Sequence, residues 1–233
     1  MHIQEYQIRM TDSFRTIVSV HLPKTAGTTF LHLLRGSLGN GSVLPDYMDD
    51  PCDPNSPRNL DPAGYFARQP GLPDGCLAVH GHFHIQKYAN IRNPFRVTFL
   101  RHPVDTLHSI YSYWKTLGPG RHALHDYFLS RRLDIFETAR LPLLRYILTR
   151  NYFEAVDMKS FHFIGRFESF STDLSRLSDV LGIPLSSDIH LNKHEKSAGL
   201  NEAAPLDPAE RARLRDILID DVNFYESTTG ADQ

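Results

Sequence analysis

Short apolar runs and helical periods alternate along this chain. Arg15-Thr-Ile-Val-Ser-Val-His21, Leu77-Ala-Val-His80, Arg96-Val-Thr-Phe-Leu100 and Phe161-His-Phe-Ile164 are apolar or β-branched and bounded by turn residues, so each predicts a buried strand. After the first run, Leu31, Leu33 and Leu34 follow a polar turn at helical spacing, with Gly36, Gly39 and Gly41 expected to end the helix. A second helix is predicted from Val104 to about Leu117, since Pro103 suits a first turn. Residues 122–151 carry a helical pattern rich in Leu, Phe and Arg. Ser169–Leu181 places Leu174, Leu177 and Leu181 on one face, and Pro208–Ile219 reads as a final amphipathic helix. Between these elements, residues 42–75 hold Pro45, Pro51, Pro54, Pro57, Pro62, Pro70 and Pro73 and are expected to form a long surface excursion. Strands alternating with helices predict an α/β, three-layer P-loop-like fold, a central mostly parallel sheet flanked by helices. The 233 residues fit a single domain over 1–233, with a helical insertion at 118–158.

Composition narrows the function classes. Hydrophobic residues at 41% and charged residues at 22% exclude a disordered chain. Twenty-five Lys+Arg against 27 Asp+Glu give a net charge of −2, so no nucleic-acid partner is expected, though a local basic pocket is compatible. No apolar run reaches the ~18 residues of a membrane span, and Met1–Thr11 lacks the apolar stretch of a secretory signal. A cytoplasmic protein without a transmembrane segment is the expectation. Cys52 and Cys76 fit either one disulfide or two free thiols, and one pair does not make a disulfide scaffold.

Two strand–turn–helix segments carry candidate chemistry. Pro23-Lys-Thr-Ala-Gly-Thr-Thr29 lies where free backbone N–H groups and a helix dipole converge, which favours a phosphate or similar anion. Gly27 permits close backbone approach, Thr25, Thr28 and Thr29 add hydroxyls, and Lys24 adds a charge. A helix start capped by its own small hydroxyl residues is the competing structural reading. The segment is not a Walker A loop, because Lys24 precedes the only Gly, and no strand run ends in an Asp placed as a Walker B ligand. In the second segment Arg101 ends a strand run before His102-Pro103, and Ser109 lies eight residues on. A guanidinium suits a phosphate through two parallel hydrogen bonds. Tyr111, Tyr113 and Trp114 read as core and rim.

Together, these segments resemble the sulfotransferases that use 3′-phosphoadenosine 5′-phosphosulfate. The first is similar to their 5′-phosphosulfate loop, and Arg101-His-Pro with Ser109 to their 3′-phosphate site. Val79-His-Gly-His-Phe83 resembles a segment of the heparan and uronyl 2-O-sulfotransferases and their bacterial relatives. Phe163-Ile-Gly-Arg-Phe-Glu-Ser-Phe170 and His190-Leu-Asn-Lys-His-Glu-Lys196 resemble later carbohydrate-sulfotransferase segments. The resemblance covers most of residues 14–226. It implies 3′-phosphoadenosine 5′-phosphosulfate as donor, adenosine 3′,5′-bisphosphate as product, no metal, and a glycan or other hydroxyl-bearing acceptor. It implies that Lys24, Thr25, Ala26, Gly27, Thr28 and Thr29 cradle the 5′ end and that Arg101 and Ser109 hold the 3′-phosphate. Lys24 would also stabilise leaving-group charge, and His82 would be the general base. His80, two residues away and on the same side of a strand, would share or orient the proton.

Other readings stand beside this one. His80, His82 and His84 alternate and could hold zinc or be structural. Glu168 fits a base, an orienting carboxylate or a helix-start cap. A P-loop phosphotransferase using a nucleoside triphosphate, or a non-catalytic nucleotide-binding module, are the alternatives for the whole chain.

Overall fold

All four predicted strands lie in one sheet of the computed structural model, which describes residues 16–50, 53–185 and 205–230. They are β1 (Thr16–Val20), β3 (Ala78–Gly81), β4 (Pro94–Leu100) and β5 (Phe163–Arg166), joined by β2 (Val43–Asp46). The order is β2-β3-β1-β4-β5 and every pairing is parallel. The helices are α1 (Gly27–Leu38), α2 (Pro57–Leu60), α3 (Pro62–Ala67), α4 (Pro103–Thr116), α5 (Ala123–Arg131), α6 (Ile135–Ala139), α7 (Pro142–Arg145), α8 (Phe170–Leu181), α9 (Pro208–Ile217) and α10 (Ile219–Thr229).

The two-residue period of the strands builds the layers. Ile17, Ala78, Phe95, Val97 and Phe99 face one side, against Phe30, Leu31 and Leu34 of α1 and Leu174, Leu177 and Leu181 of α8. Val18, Val20, Val79 and Leu100 face the other, against Val104, Leu107 and Ile110 of α4, Phe128 of α5, Leu214 of α9 and Val222 of α10. β1 is central and buried along its whole length, as a strand covered on both faces must be. The chain is thus an α/β protein with a five-stranded parallel sheet between helical layers. Residues 118–158 pack into the same core as Val18 and Leu100 through Phe128, Leu144, Leu148 and Tyr152.

Several expectations are corrected. The 42–75 segment is not surface excursion throughout. It begins with β2, an edge strand, and returns through α2 and α3, which bury Arg58 and Tyr65. Pro45 hides the strand from pattern reading, yet a sheet edge tolerates a residue without an N–H. β2 also ends in an Asp, Asp46, but not one placed as a Walker B ligand. That carboxylate is taken up by Lys87 Nζ at 2.7 Å and the Tyr88 hydroxyl at 2.8 Å, at the sheet edge with β3 between it and β1. Gly36 does not end α1, which runs on to Leu38 and stops at Gly39, where φ is 89°. β5 lies two residues later than predicted. The final helix is two, because α9 breaks at Leu218 and α10 buries Val222 and Tyr225. Arg15, Cys52 and the His190–Lys196 segment lie outside the described residues. Among the described residues no helix is long and apolar enough to cross a membrane.

Candidate functional site

β1 and β4 are neighbours, but the helices after them leave toward opposite faces, α1 to one and α4 to the other. Such a switch point, at the carboxyl ends of the strands, is where open α/β sheets receive ligands. The two sequence segments meet there. Arg101 Nη1 donates to the Lys24 carbonyl oxygen at 3.1 Å across 77 positions of chain. The Arg101 guanidinium also lies 4.4 Å from the centre of the Phe167 ring, just after β5.

The turn between β1 and α1 is wound tightly. Lys24 and Ala26 both hold positive φ, 64° and 60°, a conformation costing a non-glycine residue roughly 1–3 kcal/mol. Thr25 is buried, and its hydroxyl donates back to the Leu22 carbonyl at 2.9 Å. The hydroxyl expected as a cap or ligand donor is therefore spent inside the turn. α1 begins without a side-chain cap and without an acidic residue in its first turn. Among the described residues no side chain caps the first amides of this twelve-residue helix, so its positive end lies open at the carboxyl ends of β1 and β4. Thr28 is exposed and Thr29 half-buried. Lys24 Nζ lies 4.6 Å over the Tyr113 ring of α4. Ser109 is one helical turn before Tyr113, so the α4 face that meets Lys24 is also the face of Ser109. From α4's first residue to Ser109 is about 9 Å along the axis.

Gly27 has a reason besides the one expected. A Cβ there would sit 1.9–2.2 Å from the His21 ring. The missing side chain makes room for an imidazole. Gly81 is also sterically required: its Cβ would meet the Asp46 carbonyl oxygen at 1.6 Å. The glycine of His-Gly-His is demanded by the close approach of β2.

The histidines form a stack. The His21 ring lies between His80, centres 5.1 Å apart and planes at 15°, and His82, 4.5 Å and 21°. His82 Nδ1 is 2.7 Å from the His21 carbonyl oxygen, which only accepts, so Nδ1 carries the proton and Nε2 the lone pair. The Tyr152 hydroxyl oxygen lies 3.0 Å from the same Nδ1. Burial lowers the His82 pKa, opposed by Asp50, the His21 carbonyl and Asp46. At neutral pH the ring is an uncharged base. His80 has no such freedom. Its Nε2 donates to the Gly27 carbonyl at 3.0 Å and its Nδ1 accepts from Ser19 Oγ at 2.8 Å. It is fully buried, and burial holds its pKa at about 3. The expected sharing of a proton between His80 and His82 is corrected by this geometry: both His80 nitrogens are spent bracing β1 and β3 against α1. His84 is likewise buried, with Nε2 on the Glu154 carbonyl at 3.0 Å and Nδ1 on the Gln86 amide at 3.3 Å. His80 and His84 hold no ring lone pair free of a protein donor, which removes the three-histidine zinc reading.

Glu168 is a clamp. One carboxylate oxygen accepts from the His102 amide at 2.8 Å, the other from the Tyr225 hydroxyl at 3.0 Å. It ties the start of α4, next to Arg101, to α10. Pattern reading did not single out His21, Tyr47 or Tyr152. The signal for His21 was present, because residues 17, 19 and 21 share a side of β1. Tyr47, edge-on to His82 at 5.0 Å, comes directly after a strand that was not predicted. Tyr152 sits 70 positions from His82 and no local pattern links them.

No protein-family model matches this chain, and no curated protein matches it. Solved structures that share its course in part include the following three. A sulfotransferase from Alicyclobacillus acidocaldarius is 13% identical with a TM-score of 0.45, covering 94% of this chain and 97% of that one. A mouse sulfotransferase complexed with PAP is 14% identical with a TM-score of 0.40, covering 95% and 83%. A retinol dehydratase in a complex with retinol and PAP is 15% identical with a TM-score of 0.43, covering 93% and 86%. At these scores the likenesses carry no weight in the chemistry of the site.

Proposed function

We propose that the protein is a sulfotransferase that moves a sulfuryl group from 3′-phosphoadenosine 5′-phosphosulfate to a carbohydrate hydroxyl. The observation that carries this reading is the meeting of Lys24 and Arg101 at the uncapped start of α1. Two cationic side chains where the β1–α1 and β4–α4 turns meet suit a donor with phosphates at both ends, and the resemblance of the two segments names that donor. The donor supplies the sulfuryl group: its sulfur–oxygen bond to phosphate breaks as the acceptor oxygen bonds to sulfur, and adenosine 3′,5′-bisphosphate leaves.

The residues divide the work between donor and acceptor. The amides of Ala26–Thr29 and the Lys24 ammonium hold the 5′ end, and Lys24 stabilises the negative charge that grows on the leaving phosphate oxygen. Removing one such donor commonly costs about 10²–10³ in rate. Arg101, beside the Phe167 ring, and Ser109 hold the 3′-phosphate. His82 takes the acceptor proton at Nε2, which contributes roughly 10²–10⁴-fold. His80 has a bracing role only. A carbohydrate acceptor is inferred from the resemblance of the His-Gly-His segment.

Calorimetry on the whole chain tests this, with adenosine 3′,5′-bisphosphate as probe and AMP and ATP·Mg²⁺ as controls. The bisphosphate binds, AMP binds far more weakly, and Arg101→Ala loses the difference. Preference for ATP·Mg²⁺, or no binding, overturns the reading in favour of phosphoryl transfer or another chemistry. Turnover on a panel of glycosides then separates an enzyme from a binding module, with Lys24→Ala and His82→Ala expected to remove most of it.

A further inference from the structure

His21 is the one residue of the stack that the proposed chemistry leaves without a task. It is 9% exposed and touches both other rings, and its Nδ1 is buried with no hydrogen-bond partner among the described residues. Its ring is the group for which Gly27 has no side chain. It therefore joins the anion-binding turn to His82 in two ways. Its carbonyl accepts from His82 Nδ1, and its ring is stacked on the His82 ring with centres 4.5 Å apart and planes tilted by 21°. The carbonyl selects the tautomer, and the ring blocks rotation out of it.

We infer that His21 is the positioning residue of His82: it holds that imidazole with the Nε2 lone pair outward, in a plane set by the same turn that binds the donor. This rests on reading His82 as the base. The device works because a backbone carbonyl at the end of a central strand moves little, and a flat neighbour that makes no hydrogen bond to His82 constrains a plane without competing for its proton. The His21 ring is itself kept uncharged: burial first, then His82 and His80, hold its pKa well below the usual imidazole range. Among the described residues, the titratable groups around His82 are His21 and His80 from the ends of β1 and β3, Asp46 at the end of β2, Tyr47 and Asp50 just beyond it, and Tyr152 from the helical turn at Ile147–Tyr152.

The test reads His82 by ring-nitrogen NMR on the whole chain, with assignment by His82→Gln. In the wild type the ring carries its proton on Nδ1. In His21→Ala water reaches the uncovered face, the Nδ1–H form loses its dominance, and the titration midpoint rises toward that of a free imidazole. His21→Phe, which restores a flat ring, brings both back toward the wild type. Adenosine 3′,5′-bisphosphate affinity stays within threefold in both variants, which shows the turn intact. An Nε2–H tautomer in the wild type overturns the inference without any variant being needed. So does an unchanged tautomer and midpoint in His21→Ala, or a His21→Phe no better than His21→Ala. The base reading fails separately: glycan turnover by His82→Ala at the wild-type rate removes it whatever the NMR shows. If the base reading holds, kcat of His21→Ala falls by up to about 10²-fold, the scale of a misplaced reacting group. The acidic limb of its kcat/KM profile moves to higher pH, because the base must be neutral to act.

Discussion

Gly27 shows how far one missing Cβ reaches. The methyl of Gly27→Ala would occupy the His21 ring, so that ring, and His82 stacked on it, must move. The φ of Gly27 is ordinary, so the cost is overpacking alone, about 1–3 kcal/mol. The expected outcome is a lower thermal midpoint together with a loss of glycan turnover larger than the loss of bisphosphate affinity. Equal losses of turnover and binding would place the damage in the donor turn only. Lys24 and Ala26 illustrate a different constraint. Both keep positive φ, and such conformations persist only where neighbours hold them. Here the Arg101 guanidinium and the Thr25 hydroxyl do so, by their bonds to the carbonyls of Lys24 and Leu22.

Among the elements, the turn at Ile147–Tyr152 depends on a helix far along the chain. Asp221 of α10 is buried, and its carboxylate accepts from the Leu148 amide at 2.8 Å, the Thr149 amide at 2.9 Å and the Thr149 hydroxyl at 2.7 Å. Asp221→Ala leaves two amides, one buried and one half-buried, without an acceptor, at a cost of about 2–6 kcal/mol. Tyr152 ends that turn, so its hydroxyl drifts from His82 Nδ1. The urea midpoint should fall, and turnover should fall more than bisphosphate affinity does. The segment after β2 is anchored by the same kind of device. Lys87 Nζ donates to Asp46 at 2.7 Å and Asp49 at 2.5 Å, and the hydroxyls of Tyr88 and Tyr65 reach the same two carboxylates. Buried charges persist only when paired in this way, and this pairing seats Tyr47 beside His82.

At the scale of the whole molecule, the buried histidines set how stability depends on pH. Burial holds His80 at about 3 and His84 at about 4, below the unfolded value near 6.5. As pH falls below 6.5 the unfolded chain takes up protons that the folded chain refuses. Stability is therefore full above 6.5 and declines from there toward the folded values, by on the order of 1 kcal/mol per pH unit for each residue. Thermal midpoints at pH 7.5, 6.5 and 5.5 check this: little change over the first step, a clear drop over the second. Donor-site occupancy acts in the other direction. Adenosine 3′,5′-bisphosphate at a hundred times its Kd adds about 2.7 kcal/mol, so the midpoint rises with ligand in the wild type and barely in Arg101→Ala.

Whatever depends on neighbours along the chain is legible in the sequence alone. Period-2 and helical runs locate β1, β3, β4, α1, α4 and α8, and the strand–turn–helix grammar places Lys24 and Arg101 at helix starts, because local sterics and side-chain alternation decide those features. β2 escapes, since four residues with a proline carry too little pattern and an edge position forgives it. Roles escape where they depend on contacts between distant segments. His80 and His82 look alike in sequence, two residues apart on one strand side. Ser19 and the Gly27 carbonyl consume both nitrogens of one, while the His21 carbonyl consumes only one nitrogen of the other. That difference arises from packing across β1, β3 and α1, so only the tertiary structure could decide which imidazole keeps its lone pair.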